Sequence, residues 1–173
     1  FVDGDTSFVD SLLTDSAQSF FYELVIFDDT TLNKTFHLLR EQLDTSYVDY
    51  NIPEITSDDV VGGFRNGWGL FIINMDAARE QILIQVPHPC DDFIAPYIAL
   101  DLFFETDAFG FMIAGAGREV AWNQIGDYSN SKSISDPSRY PHTVFQKFQD
   151  AVTEPLIGMN PHWPLVFAIH SFD

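Results

Sequence analysis

The apolar positions of this chain fall in two rhythms. Residues 20–27 (FFYELVIF) form a nearly unbroken apolar run between Ser and Asp clusters, which predicts a buried strand. From residue 30 the rhythm lengthens: Leu32, Phe36, Leu39 and Leu43 recur every three or four residues behind Asp29 or Thr30 as a cap, so the spacing predicts a helix over 30–43. Residues 44–63 mix Pro53, acids and two glycines and read as a surface connection with room for a short strand. Residues 69–74 and 81–86 are apolar runs rich in β-branched residues, and the 75–80 stretch between them suits an antiparallel hairpin.

Beyond Pro87-His88-Pro89 and the acids Asp91 and Asp92, large apolar residues recur at Phe93, Tyr97, Leu100 and Phe104. They predict an amphipathic helix with Pro96 in its first turn, where a missing N–H costs least. The apolar run 109–114 follows, then Gly115-Ala116-Gly117. Strand, helix and strand in that order predict a βαβ unit with parallel strands and a right-handed crossover. Residues 122–141 form a long polar loop of the kind that covers sites. Thr143 and Gln146 have capping-box spacing, and Val144, Phe148 and Val152 continue one helical face to about Pro155. Residues 164–169 supply a last, buried strand. Together the elements predict an α/β domain with a mixed, partly parallel sheet.

Composition narrows the class. A chain of 173 residues fits one domain, 1–173, and 46% hydrophobic residues with 17 Phe supply a core that no disordered chain carries. Eight Lys and Arg against 26 Asp and Glu leave a formal charge of −18, which repels nucleic acid and anionic membranes and suits a soluble protein; it leaves the compartment open, with a secreted or periplasmic location among the options. No apolar run approaches the roughly 20 residues of a spanning helix. The start at Phe1 and the stop at Asp173, just past an apolar run, lead us to expect a fragment, C-terminally incomplete and without its leader. The single cysteine, Cys90, excludes an internal disulfide and a thiolate cluster, so a metal here must use His and carboxylate.

Ligands of parallel sheets collect beyond the carboxyl ends of the strands. His88, Arg118 and His170 each follow a predicted strand and share one rim if those strands run the same way. His88 with Asp91 pairs an imidazole and a carboxylate three positions apart, close enough for one metal ion across a tight turn. With 26 acids and 5 His in the chain, some such match arises by chance roughly half the time. Asp91 also suits a helix cap, as does Asp92. His170, at the end of an apolar strand, needs a partner, and a metal ion, a backbone carbonyl or a neighbouring Asp would each serve.

The pieces Val86-Pro-His88-Pro-Cys-Asp91, Ala114-Gly-Ala-Gly-Arg118 and Ala168-Ile-His170-Ser-Phe172 resemble the zinc-dependent carboxypeptidase-like hydrolases, a group similar to N-formylglutamate amidohydrolases as well. The resemblance covers roughly residues 81–173. It implies a three-layer α/β/α sandwich, one zinc ion held by His88, Asp91 and His170, and Arg118 steadying an oxyanion, although Arg118 also suits a surface salt bridge. It further implies Asn123 as a substrate-holding residue, with a turn role as the alternative, and a small-molecule or peptide substrate cleaved at an amide bond. Asp91 stands where carboxypeptidases have Glu, and the general-base glutamate of the family follows the third ligand, beyond Asp173 here. A non-catalytic binding or assembly domain on the same fold is the alternative.

The remaining candidates are bland. His142 and His162 sit beside prolines and read as surface, and His37 as exposed or half-buried on the first helix. Asp3-Gly-Asp5 lacks the further acids of a calcium loop, Cys90 reads as a small packing residue, and Trp68 and Trp163 as plugs at the core edge.

Overall fold

The computed structural model describes residues 21–42, 67–118, 122–123, 132–133, 135–159 and 164–171. The elements run β1 (Tyr22–Asp29), β2 (Lys34–Glu41), β3 (Leu70–Asn74), β4 (Arg79–Val86), α1 (Ala95–Thr106), β5 (Ala108–Ile113), β6 (Trp122–Asn123), β7 (Lys132–Ser133), α2 (Val144–Met159) and β8 (Leu165–Ala168). Six strands form one open, mixed sheet in the order β1-β2-β3-β5-β4-β8, while β6 and β7 pair separately. The β1-β2-β3-β5 side is antiparallel, and β5, β4 and β8 are parallel. The predicted βαβ unit is present as β4-α1-β5. No helix among the described residues is long and apolar enough to cross a membrane.

Side chains alternate across the sheet and divide the core in two. On one face Phe36, Ile72, Ile84, Val86 and Phe111 pack with Ala95, Ala99 and Phe103 of α1. On the other, Tyr22, Phe71, Leu83, Met112 and Ala114 pack with Phe145 of α2, and Phe148 stacks on Phe71 at 4.5 Å. One helix therefore lies against each face. The start of α2 keeps half of the predicted capping box: Thr143 Oγ1 accepts the Gln146 N–H at 3.1 Å, while the Gln146 amide donates instead to the Pro137 carbonyl at 2.6 Å. The helix runs on past Pro155 to Met159.

Five expectations are corrected. The predicted helix over 30–43 is the turn after β1 followed by strand β2. Asp29 Oδ1 accepts the N–H groups of Thr31 and Leu32, and Asn33 takes a left-handed φ of 52°, so the chain reverses and Lys34 pairs back onto Asp29. With β1 on one side and β3 on the other, β2 buries Phe36 and Leu38 toward one face and Leu39 toward the opposite one. His37, expected at most half-buried, is buried, and that burial lowers its pKa. Runs 69–74 and 81–86 form no hairpin, because β5 inserts between β3 and β4. Helix α1 turns the stripe Phe93, Tyr97, Leu100 and Phe104 to solvent and docks through Ala95, Ala99 and Phe103. The last strand, β8, lies at the sheet edge with Leu165 and Phe167 exposed.

Asp107 fastens the end of the sheet opposite the histidines. It terminates α1 in a left-handed conformation (φ 51°), its N–H reaching the carbonyls of Phe103 and Phe104. Its carboxylate takes Lys34 Nζ at 2.7 Å, Asn74 Nδ2 at 2.8 Å and the Ala78 N–H at 3.1 Å, joining β2, β3 and the approach to β4. Burial raises the pKa of this carboxyl, but the bonds from Lys34, Asn74 and Ala78 outweigh it, and the net pKa lies below the usual carboxylate range. A depressed folded-state pKa contributes stability above the unfolded-state value and loses it as the pH falls through the folded one. Asp107→Asn tolerates the left-handed backbone but loses the charge, so it costs about 1–2 kcal/mol at neutral pH after allowance for partial exposure. Urea midpoints of wild type and D107N should converge as the pH is taken from 7 to about 3. A gap that stays constant would mean the ionised carboxylate contributes nothing.

Candidate metal centre

The site is built where the parallel strands end. After β4 the chain enters a tight turn in which the His88 carbonyl accepts the N–H groups of Asp91 at 3.2 Å and Asp92 at 2.8 Å. The Asp92 carbonyl in turn accepts the Ala95 N–H at 2.8 Å, so Asp92 leads into α1 and its side chain folds back over His88. Strand β8 runs parallel to β4, with Ala168 opposite Gln85, and the Ile169 N–H extends the pairing to the Gln85 carbonyl at 2.9 Å. That register delivers His170 beside His88, the two rings lying 5.0 Å apart between centroids and inclined by 50°.

Asp92 stands between the two imidazoles. Its Oδ2 lies 2.6 Å from His170 Nδ1 and 3.7 Å from His88 Nδ1. One ligand atom from each of His88, Asp92 and His170 falls within 4.8 Å of the others, a spacing at which one metal ion could bridge the group. His88 and Asp92 are buried, at 5% and 4% exposure, and His170 stands at the mouth.

The far nitrogen of His88 explains the orientation of the near one. His88 Nε2 lies 2.9 Å from Asp136 Oδ1 and 3.2 Å from the Ser138 hydroxyl. Asp136 is itself held by the Ser138 N–H at 2.9 Å. A buried carboxylate on Nε2 keeps the proton there and leaves the lone pair on Nδ1. That Nδ1 is buried and has no hydrogen-bond partner, which is costly for a polar atom unless a cation uses it. The donor set, two imidazoles and one carboxylate with a carboxylate behind one imidazole, could hold a metal ion.

The structure brings His88 and His170 together and places Asp91 elsewhere. Asp91 is exposed; its Oδ2 accepts the Arg118 backbone N–H at 3.1 Å and faces Arg118 Nε at 3.3 Å. The backbone bond is the chief cause of its lowered pKa, with burial opposing and the guanidinium assisting. Arg118 also reaches Asp92 Oδ1 at 3.4 Å, so a fixed cation adjoins the group on the side away from the imidazoles. Asn123 lies in β6, opposite Lys132 of β7. His142 is exposed with its ring edge-on to Tyr140, Cys90 is exposed rather than packed, and Trp68 stacks on Tyr22 at the core edge. Asp3, Asp5, His162 and Trp163 lie outside the described residues.

Sequence reasoning treated Asp92 only as a cap and missed Asp136 and Ser138. The Asp91-Asp92 doublet was the available signal for the first; nothing in the spacing of the polar loop marked the others. None of His88, Asp92 and His170 lines the cavity of about 280 Å³ formed by Trp68, Ala114, Ala116, Pro137, Tyr140 and Phe145 among others. The cavity is linked to the group through Ser135 and Pro137, which line it on either side of the Asp136 that faces His88. Comparison of the chain with protein-family models, curated proteins and solved structures finds no match, so the local geometry carries the functional interpretation.

Proposed function

We propose that His88, Asp92 and His170 hold one zinc-type ion and that the chain is a metal-dependent hydrolase of amide bonds on a three-layer, carboxypeptidase-like α/β/α scaffold. The observation that carries this is the buried, unpartnered Nδ1 of His88, aimed at Asp92 by the Asp136 carboxylate behind it. Three protein ligands leave an open coordination position, and a zinc ion so held supplies a water of lowered pKa and polarises a carbonyl. Arg118 stands where negative charge on a carbonyl oxygen would be stabilised, part of its own charge being balanced by Asp91 and Asp92. The linked cavity has room for one apolar substituent of a small acylated amino acid or peptide. Asn123, in the β6 strand that precedes residues 135–138, remains the proposed substrate-holding residue.

One observation favours the alternative of a non-catalytic domain: at 2.6 Å His170 Nδ1 and Asp92 Oδ2 already satisfy each other as a hydrogen-bonded pair. Metal analysis of chain expressed with added zinc and purified without chelator separates the two. One zinc per chain, with turnover on a panel of N-acyl amino acids and blocked dipeptides, is the expected result. Zinc without turnover reduces the protein to a metal-binding domain, and neither leaves the histidine–aspartate pair purely structural.

A further inference from the structure

Apart from Phe104, whose ring meets Phe36 edge-on at 6.0 Å, the outer face of α1 has no ring partner from another element among the described residues. Phe93 is 62% exposed, Tyr97 74%, and Ile94, Ile98, Leu100 and Phe104 each more than a third. At the roughly 150–250 Å² a large aromatic side chain offers, these six residues leave on the order of 600 Å² of apolar surface in water, at the upper end of the roughly 300–600 Å² of a monomer's largest patch and approaching the roughly 800 Å² each side of a stable interface contributes. Beside α1 the same sheet face stays open at its edge, where Leu165 and Phe167 align with Ile82 and Ile84 of the α1 cluster and are exposed. The spacing of Phe93, Tyr97, Leu100 and Phe104 is the 4-3-4 rhythm of a helix seam that receives another helix.

Charge selects the occupant. Residues 80–117 contain no Lys or Arg, and the exposed acids Asp91, Asp101 and Glu105 border or interrupt the apolar stripe. A second copy would oppose these acids with its own, in a chain of formal charge −18, and an anionic membrane is repelled in the same way. We propose that the α1 face is a docking surface for a basic amphipathic helix of a partner protein, apolar residues seated on Tyr97 and Leu100 and flanking Lys or Arg meeting Asp101 and Glu105.

The test uses the full chain and a labelled 18-residue helical peptide with leucines on one face and lysines on the other, read by fluorescence anisotropy. Wild type should bind it at least tenfold more tightly than a scrambled peptide of the same composition. Tyr97→Gln/Leu100→Gln, on side chains that face water, should remove that tenfold preference while far-UV circular dichroism and the melting transition are unchanged. Equal binding of both peptides, or of the double variant, would reduce the effect to general attraction by an acidic protein and overturn the proposal. So would a concentration-dependent dimer in sedimentation that Y97Q/L100Q abolishes, since a second copy would then be the occupant.

Discussion

If the proposed metal site is right, Asp92→Ala and Asp92→Asn should lower zinc affinity by at least about 100-fold, no less than the roughly 10–100-fold that loss of an outer-shell partner costs, whereas Asp91→Ala should change it by only about twofold. Asp92 is buried between both imidazoles; Asp91 points away and is held by Arg118. Removing Asp91 frees the guanidinium to lean further onto Asp92 Oδ1, which weakens the ligand a little without deleting it. Asp92→Asn keeps the volume and most of the hydrogen bonds of the buried site, so its loss of metal cannot be ascribed to unfolding. Asp136→Asn touches no ligand position, yet it should weaken zinc by about 10–100-fold because the proton on His88 Nε2 loses its charged acceptor. Competition against a chromophoric chelator measures all four. Zinc lost from D91A and retained by D92A would restore the His-x-x-Asp pair as the ligand set.

The contrast between Asp91 and Asp92 marks the limit of what the sequence conveys about this site. Both histidines were legible because each closes an apolar run, and parallel strands put such positions on one rim. Which of two adjacent acids turns inward depends on the two hydrogen bonds that the His88 carbonyl accepts from their N–H groups and on Arg118 approaching from 26 residues away. Neither is a local property. The same holds for β2. Phe36, Leu38 and Leu39 are apolar on both faces of a strand flanked on each side, and that pattern imitates a helical stripe when read along one chain. In α1 the hydrophobic rhythm located the helix but not its docking face, because Ala95 and Ala99 are small enough to let the backbone approach Val86 and Ala108 while the larger residues face out. A stripe of large residues left in water is a conflict between local pattern and fold, and such conflicts are expected at surfaces that serve another purpose.

The end of the sheet that carries the site depends on a crossing of backbones that only glycine permits, and Gly69→Ala should cost more than about 4 kcal/mol, enough to abolish a cooperative urea transition. A Cβ on Gly69 would stand 2.0 Å from the Ile113 carbonyl oxygen and 3.0 Å from Ala114 Cα, and its φ of 105° is one that L residues avoid. None of these atoms is the free end of a side chain. Gly115 meets the same crossing from the other side: a Cβ there would stand 2.6 Å from the Gly69 nitrogen. The segment is pinned on both sides: the Tyr22 hydroxyl donates to the Gly69 carbonyl at 2.9 Å, and the Trp68 N–H reaches Glu41 Oε2 at 3.1 Å. Burial, aided by the Glu41 charge, pushes the Tyr22 phenol's pKa up and keeps it a donor. Gly110→Ala is the comparison. Its Cβ would meet Leu83 Cδ1 at 2.5 Å, the end of a flexible side chain, so the cost is about 1–3 kcal/mol and the transition survives. Because Ala114 N–H bonds the Val86 carbonyl at 3.0 Å, two residues before His88, forcing β5 away from Gly69 displaces the turn that presents the ligands. G110A, at mid-sheet, should therefore keep the proposed metal binding at lowered stability. G69A unfolding no more easily than G110A would show that the crossing is not tight and that the ligands are positioned by the β4 turn alone.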